Sequence, residues 1–286
     1  MNKFSPIIIT GIHRSGTSLL TRIIENNSVF FGRSKDINNE SLFFQNINKW
    51  IMSTNGSTWD NPKSFIDNID SDSFDMLINK INILLNSYSN FRYFGTKNLI
   101  KRENFFNLGY AWGWKDPRNI FTLPFWLNLF PSSKVILVKR HPYDVSLSLI
   151  KRNIKLKNKD SRSIYKKAPY FLIPFLNLSN FSNLGSLNIS NMEDAMNLYD
   201  VYFNEIEKLI EKYEKNIYLL KYEDIILKPD SVLKDIFNFC DLNSSDIKLP
   251  ELINKDRTYI YKSEKVKFNF EKYGLKLKEY GYSYEN

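Results

Sequence analysis

The chain has 286 residues, with 40 Lys and Arg against 31 Asp and Glu, for a formal charge of +9. Its length can bury a substantial core as one domain, and 43% apolar content with ten glycines and ten prolines excludes a low-complexity chain. One cysteine, Cys240, excludes an internal disulfide framework, and with two histidines it argues against a zinc site.

In chain order, the apolar run at 6–10 predicts a first strand, and Leu19, Leu20, Ile23 and Ile24 predict a helix over 16–26. Further helices are predicted over 40–53, 73–87, 119–130, 142–154, 192–213 and 230–240, and strands over 134–138 and 216–220. Pro124 predicts a helix start or a kink inside 119–130. Cys240, within VLKDIFNFCDL, reads as a buried structural thiol. Short apolar strands alternating with amphipathic helices imply an α/β protein with a mostly parallel central sheet flanked by helices. Without repeats or linkers, the reading is a single domain over 1–286. Residues 158–190 carry the weakest pattern and read as a substrate-facing insertion, and the Lys-rich tail, 254–286, predicts no long helix. The first strand follows the N-terminus too closely for a signal peptide, and no 18-residue apolar stretch occurs. With the cysteine count, this gives the expectation of a cytoplasmic protein without a transmembrane segment.

Three motifs carry chemistry. In GIHRSGTSLL, a turn bracketed by Gly11 and Gly16 joins a strand to a helix, the layout of a phosphate cradle. Backbone N–H groups around Ser15, Gly16, Thr17 and Ser18 and the helix dipole face an anion there. The triphosphate-binding version, G-x-x-x-x-G-K-[ST], has lysine where Thr17 stands. Here the cation is Arg14, inside the loop. In KVILVKRHPYDVSLSL, a strand ends at Lys139 and Arg140 and Pro142 opens a helix, the place where ligands bind in open α/β sheets. Arg140 at the strand end and Ser148, about two turns along, can approach one anion. Asp144 reads as a capping carboxylate. In WGWKDPR, Lys115 lies between a short aromatic strand and a helix, again at a carboxyl strand end. The basic stretch 151–167 reads either as a solvated helix end and loop or as a guide for an anionic acceptor or a membrane surface.

GIHRSGTSLL followed by VKRHPYDVSLS resembles the two signature motifs of sulfotransferases that use 3′-phosphoadenosine 5′-phosphosulfate (PAPS). YLLKYEDIIL resembles that family's Y-E-D segment, and WGWKDPR is similar to the K-D-P of tyrosylprotein sulfotransferases and bacterial relatives. The resemblance implies a P-loop NTPase-like sulfotransferase fold with PAPS as co-substrate. It implies the first loop on the 5′-phosphosulfate, Arg140 and Ser148 on the 3′-phosphate, and Tyr222 near the adenine. No metal is expected. Arg14 and Lys115 would stabilise charge on the reacting group. Glycan and tyrosylprotein relatives use a glutamate base after the first helix, which corresponds to Glu40. His13 is the reserve base, ahead of Asp36, and Glu40 has a plainer reading as an exposed residue in a first helical turn. The acceptor would offer a hydroxyl or amine on a glycan, lipid headgroup, peptide or small molecule, with a carbohydrate or glycolipid favoured. A P-loop nucleotide or small-molecule kinase is the alternative, but it calls for lysine at 17. A nucleic-acid-binding module would match the charge, but no stripe of interleaved aromatic and basic residues marks a base-reading face.

Overall fold

A computed structural model describes residues 4–158, 186, 188–248, 259 and 270–282. Four strands, β1 (Ile7–Gly11), β2 (Gly113–Lys115), β3 (Lys134–Lys139) and β4 (Ile217–Lys221), pair in parallel in the order β2-β1-β3-β4. The two central strands are continuous apolar runs because both faces of a parallel sheet are covered. Their side chains alternate accordingly: Ile8, Val135 and Leu137 enter one core, while Ile7, Ile9, Ile136 and Val138 enter the other.

The helices are α1 (Thr17–Asn26), α2 (Leu42–Ser53), α3 (Ser71–Asn86), α4 (Asn119–Leu129), α5 (Pro142–Asn158), α6 (Met192–Tyr213), α7 (Tyr222–Leu227), α8 (Pro229–Phe239) and α9 (Phe270–Glu279). Short helical turns lie at Lys63–Asp67, Phe91–Phe94 and Asn98–Lys101. One face of the sheet carries α1, α7 and α8, with the Cys240 thiol buried among them. The other face carries α2 through α6 and α9. An α/β sheet with helices on both faces is therefore the observed fold, and among the described residues all four strands are parallel.

Three details depart from the sequence expectation. Helix α2 begins at Leu42, so Glu40 lies ahead of it in the connecting loop. Helix α4 runs through Pro124 instead of starting there. The tail does form a helix, α9, because Tyr273, Leu277 and Tyr280 recur on one face and are buried. Most of 158–190, and the basic stretch beyond residue 158, lie outside the described residues. Among the described residues, no helix is long and apolar enough to cross a membrane.

Parallel register brings the strand ends to one edge. Gly11 pairs with Val138, Lys139 with Lys221 and Ile9 with Lys115, so the segments leaving β1, β2, β3 and β4 emerge side by side.

Candidate active site

The loop after β1 is a tight turn. Ser15 donates its N–H to the Ile12 carbonyl at 3.0 Å, and the Gly16 carbonyl accepts the first amide bonds of α1. Gly16 has φ +97°, and a Cβ there would lie 2.1 Å from the Tyr222 ring, so only glycine lets that ring close over the loop. Gly11 is similarly forced: its Cβ would fall 2.2 Å from the Val138 carbonyl oxygen. Ser15 and Thr17 are buried, and Ser15 Oγ meets no hydrogen-bond partner among the described residues. Ser18 Oγ donates to the Asn38 carbonyl at 2.8 Å, tying the loop to the segment that leads to Glu40.

The first two motifs meet directly. Arg14, itself at φ +75°, donates from Nε to Ser148 Oγ at 2.9 Å. Arg140 donates from Nη1 to the Arg14 carbonyl at 3.3 Å and from Nη2 to Asp144 Oδ2 at 3.1 Å. The Arg140 guanidinium also lies 4.8 Å from the centre of the Tyr222 ring. Asp144, fully buried, thus holds Arg140 as well as occupying the first turn of α5. Arg14, Gly16, Arg140, Ser148 and Tyr222, from three separate segments, form one cluster.

The third motif builds a buried charge network beside it. Glu40 accepts from Lys115 Nζ at 3.1 Å, from Arg118 Nη1 at 3.3 Å and from Gln45 Nε2 at 2.7 Å. It is buried at 4% exposure, which removes the reading of an exposed first-turn residue. Burial alone pushes its carboxyl up, but Lys115 and Arg118 overcome that and hold it well below the usual carboxylate range. Arg118 also donates to Asp116 Oδ1 at 2.9 Å. Burial pushes the Asp116 carboxyl up, against the pull of Arg118. Asn48 anchors the network from α2: its amide donates to Asp116 and Asn119, and its oxygen accepts from Thr122 and Trp126. All four of these bonds are 3.0 Å or shorter.

His13 lies between these clusters. Its ring is 4.5 Å from that of Trp59 and 6.3 Å from that of Tyr202. Burial, then the charge of Arg118, lowers its pKa well below the ordinary histidine value, so the imidazole is neutral. Its buried Nε2 meets no hydrogen-bond partner among the described residues.

A model of the sulfotransferase family matches residues 6–246. The chain belongs to the sulfotransferase family. Among solved structures, the sulfotransferase domain from the curacin biosynthetic pathway is 15% identical, with 99% of each chain covered and a TM-score of 0.54. The sulfotransferase domain of the Synechococcus PCC 7002 olefin synthase is 14% identical, covers 99% of this chain and 97% of its own, and gives a TM-score of 0.50. A sulfotransferase from Alicyclobacillus acidocaldarius is 13% identical over 88% of this chain and 87% of its own, at a TM-score of 0.48. No curated protein matches the chain. At these identities the structural likeness is one of fold, and the family model carries the assignment. It sets aside the kinase-like and nucleic-acid-binding readings.

Of the residues singled out in the sequence, Arg14, Gly16, Arg140, Ser148 and Tyr222 meet in one cluster, Glu40 and Lys115 pair in the charge network, and Cys240 lies apart in the core. Sequence reasoning missed Arg118, Asp116, Asn48, Trp59 and Tyr202. Arg118 and Asp116 stand inside WGWKDPR, so that motif carried their signal. The other three are brought in by packing alone. Among the described residues, no three His, Cys, Asp or Glu side chains cluster as a metal site would require.

Proposed function

We propose that the protein transfers a sulfuryl group from PAPS to a hydroxyl or amine of a carbohydrate or glycolipid acceptor, by in-line displacement. The observation that carries this reading is the joining of two anion-binding motifs through Arg14, Ser148 and Arg140, in a chain of this family. The residues present fit the donor. Ser15 Oγ is a buried hydroxyl with bonding capacity to spare, and Gly16, having no side chain, lets the Tyr222 ring close over the loop. Ser15, Gly16, Thr17 and Ser18 would hold the 5′-phosphosulfate, Arg140 and Ser148 the 3′-phosphate, and Tyr222 the adenine side. When bound, PAPS supplies the activated sulfuryl group.

A sulfuryl group carries about one negative charge, against about two for a phosphoryl group, so Arg14 and Lys115 suffice without a lysine at position 17. Glu40 takes the acceptor proton at a carboxylate oxygen. Its ion pairs favour the ionised form but make it a weak base, so its basicity depends on Lys115 turning toward the charge that develops. His13 is a second reading of the base, favoured by its neutral ring and unpartnered Nε2.

An acceptor-library screen with labelled PAPS tests the activity, and adenosine 3′,5′-bisphosphate binding tests the donor site. Absence of both overturns the proposal. Glu40→Gln should keep bisphosphate binding and lose about 10²–10⁴ in kcat. Near-wild-type turnover in Glu40→Gln, with a comparable loss in His13→Asn, transfers the role to His13.

A further inference from the structure

Beside the catalytic cluster, α5 carries a cation that the mechanism does not use. Arg152 lies one helical turn beyond Ser148, so the two share a face. It is partly buried, and among the described residues it makes no hydrogen bond or ion pair. Its one close partner is Trp59, whose ring centre is 5.6 Å from the guanidinium carbon. Trp59 in turn packs on His13. Burial lowers the Arg152 pKa, and the charges of Glu40 and Arg118 both reach it, so it belongs to the field of the active site.

The surroundings are built rather than fluid. Trp59, Leu149, Arg152, Asn153, Leu156 and Ile189 line a small recess. Asn153 is spent holding its wall, donating to the carbonyls of Ser186 and Ile189 and accepting from the Ser186 N–H. Ser186 and Asn188 both donate to Asp60, next to Trp59. Tyr202 donates from its hydroxyl to the Trp59 carbonyl at 2.7 Å. The chain at Trp59 and Asp60 is therefore held from two sides, the indole packs between His13 and Arg152, and the arginine over it is a forked donor with its hydrogen-bonding capacity unspent.

We propose that Arg152 and Trp59 form an acceptor subsite for an anionic group: Arg152 pairs with a carboxylate or phosphate on the acceptor, and the Trp59 ring packs against the sugar or apolar face that bears it. This rests on the sulfotransferase reading and narrows its acceptor to a negatively charged molecule. A partly buried cation with no directly ion-paired carboxylate among the described residues, reached only by the more distant charges of Glu40 and Asp36, keeps part of a desolvation cost that an anionic ligand offsets. A neutral acceptor would leave that cost standing.

The test uses two matched pairs, octyl β-glucuronide against octyl β-glucoside and glucose 6-phosphate against glucose. Each is titrated into the full-length protein saturated with adenosine 3′,5′-bisphosphate, with wild type, Arg152→Gln, Arg152→Lys and Trp59→Leu compared. The wild type should bind the charged member of at least one pair about tenfold to a hundredfold more tightly, the worth of one charge-assisted contact. Arg152→Gln should bring that ratio toward one while bisphosphate affinity holds. Arg152→Lys should restore part of it, which a merely structural role would not do. Trp59→Leu should weaken both members of the pair. The carboxylate and phosphate pairs distinguish the two anionic sources. No preference for charge in either pair, or an undiminished preference in Arg152→Gln, overturns the subsite. Failure of the bisphosphate itself to bind would instead overturn the donor site.

Discussion

Arg140 and Ser148 differ in what their loss should do. Arg140 is charged and buried at 6% exposure, and it bridges the first loop and Asp144. Ser148 is a neutral hydroxyl shared with Arg14. If both hold the 3′-phosphate, Arg140→Gln should weaken adenosine 3′,5′-bisphosphate about tenfold to a hundredfold, since a hydrogen bond to a charged group is worth roughly 1.5–3 kcal/mol. Ser148→Ala should cost less, at roughly 0.5–1.5 kcal/mol. Calorimetric titration well below each variant's melting temperature checks this, and unchanged affinity in Arg140→Gln removes the residue from the donor site. At this scale the cradle, Arg140, Ser148 and Lys115 were legible because each sits in a contiguous motif at a strand end. Arg118 was harder, since the carboxylate that gives it meaning, Glu40, lies 78 positions away. Trp59 and Tyr202 had no local signal at all: an aromatic residue between strands reads the same whether it lines a core or a site. Arg152 stood inside the basic stretch 151–167, where nothing local set it apart from its basic neighbours.

At the scale of elements, Asn48 joins α2 to α4 and to the end of β2. Its side chain makes four hydrogen bonds in a region closed to water, and the Trp126 indole N–H has no other acceptor among the described residues. Asn48→Leu would leave the amide's former partners, one of them the Asp116 carboxylate, short of donors or acceptors. We expect a loss of about 2–4 kcal/mol, from roughly 1–3 kcal/mol per buried unsatisfied group with partial relaxation. Urea denaturation should show it as a lower midpoint at unchanged slope. A variant as stable as wild type would mean the network is wet or loose. Element positions were otherwise readable. The α1 and α6 patterns have clear apolar stripes, and β1 and β3 are runs that only a doubly covered sheet accommodates. Helix α9 was not readable, because Gly274 inside it costs about 1 kcal/mol in propensity. Burial of Tyr273, Leu277 and Tyr280 overrides that cost, and burial is a tertiary fact.

Over the whole molecule, the +9 charge suits an anionic donor and an anionic acceptor, yet the site's own charges are distributed so that acid should unsettle the fold. His13 is the clearest case. Burial and neighbouring cations depress its pKa well below 6.5, so between its folded value and 6.5 the unfolded chain binds a proton that the folded chain refuses. The stability tied to neutral His13 is therefore complete above about pH 6.5 and is lost as pH falls below it, at up to about 1.4 kcal/mol per pH unit. Glu40 acts with the same sign at lower pH: its depressed pKa contributes stability above 4.5 that is lost as pH falls toward its folded value. Asp116 and Glu223, with raised pKa values, act with the opposite sign, so the wild-type curve alone cannot isolate any one group. Comparing wild type with His13→Asn does. Asn has no proton to gain in this range, so the stability difference between the two should shift in favour of the variant as pH falls from 6.5 to 5. Melting curves at half-unit steps measure it. Parallel curves across that window would mean that His13 takes a proton in the folded chain as readily as in the unfolded one, and the neutral ring invoked for the reserve base would be lost with it.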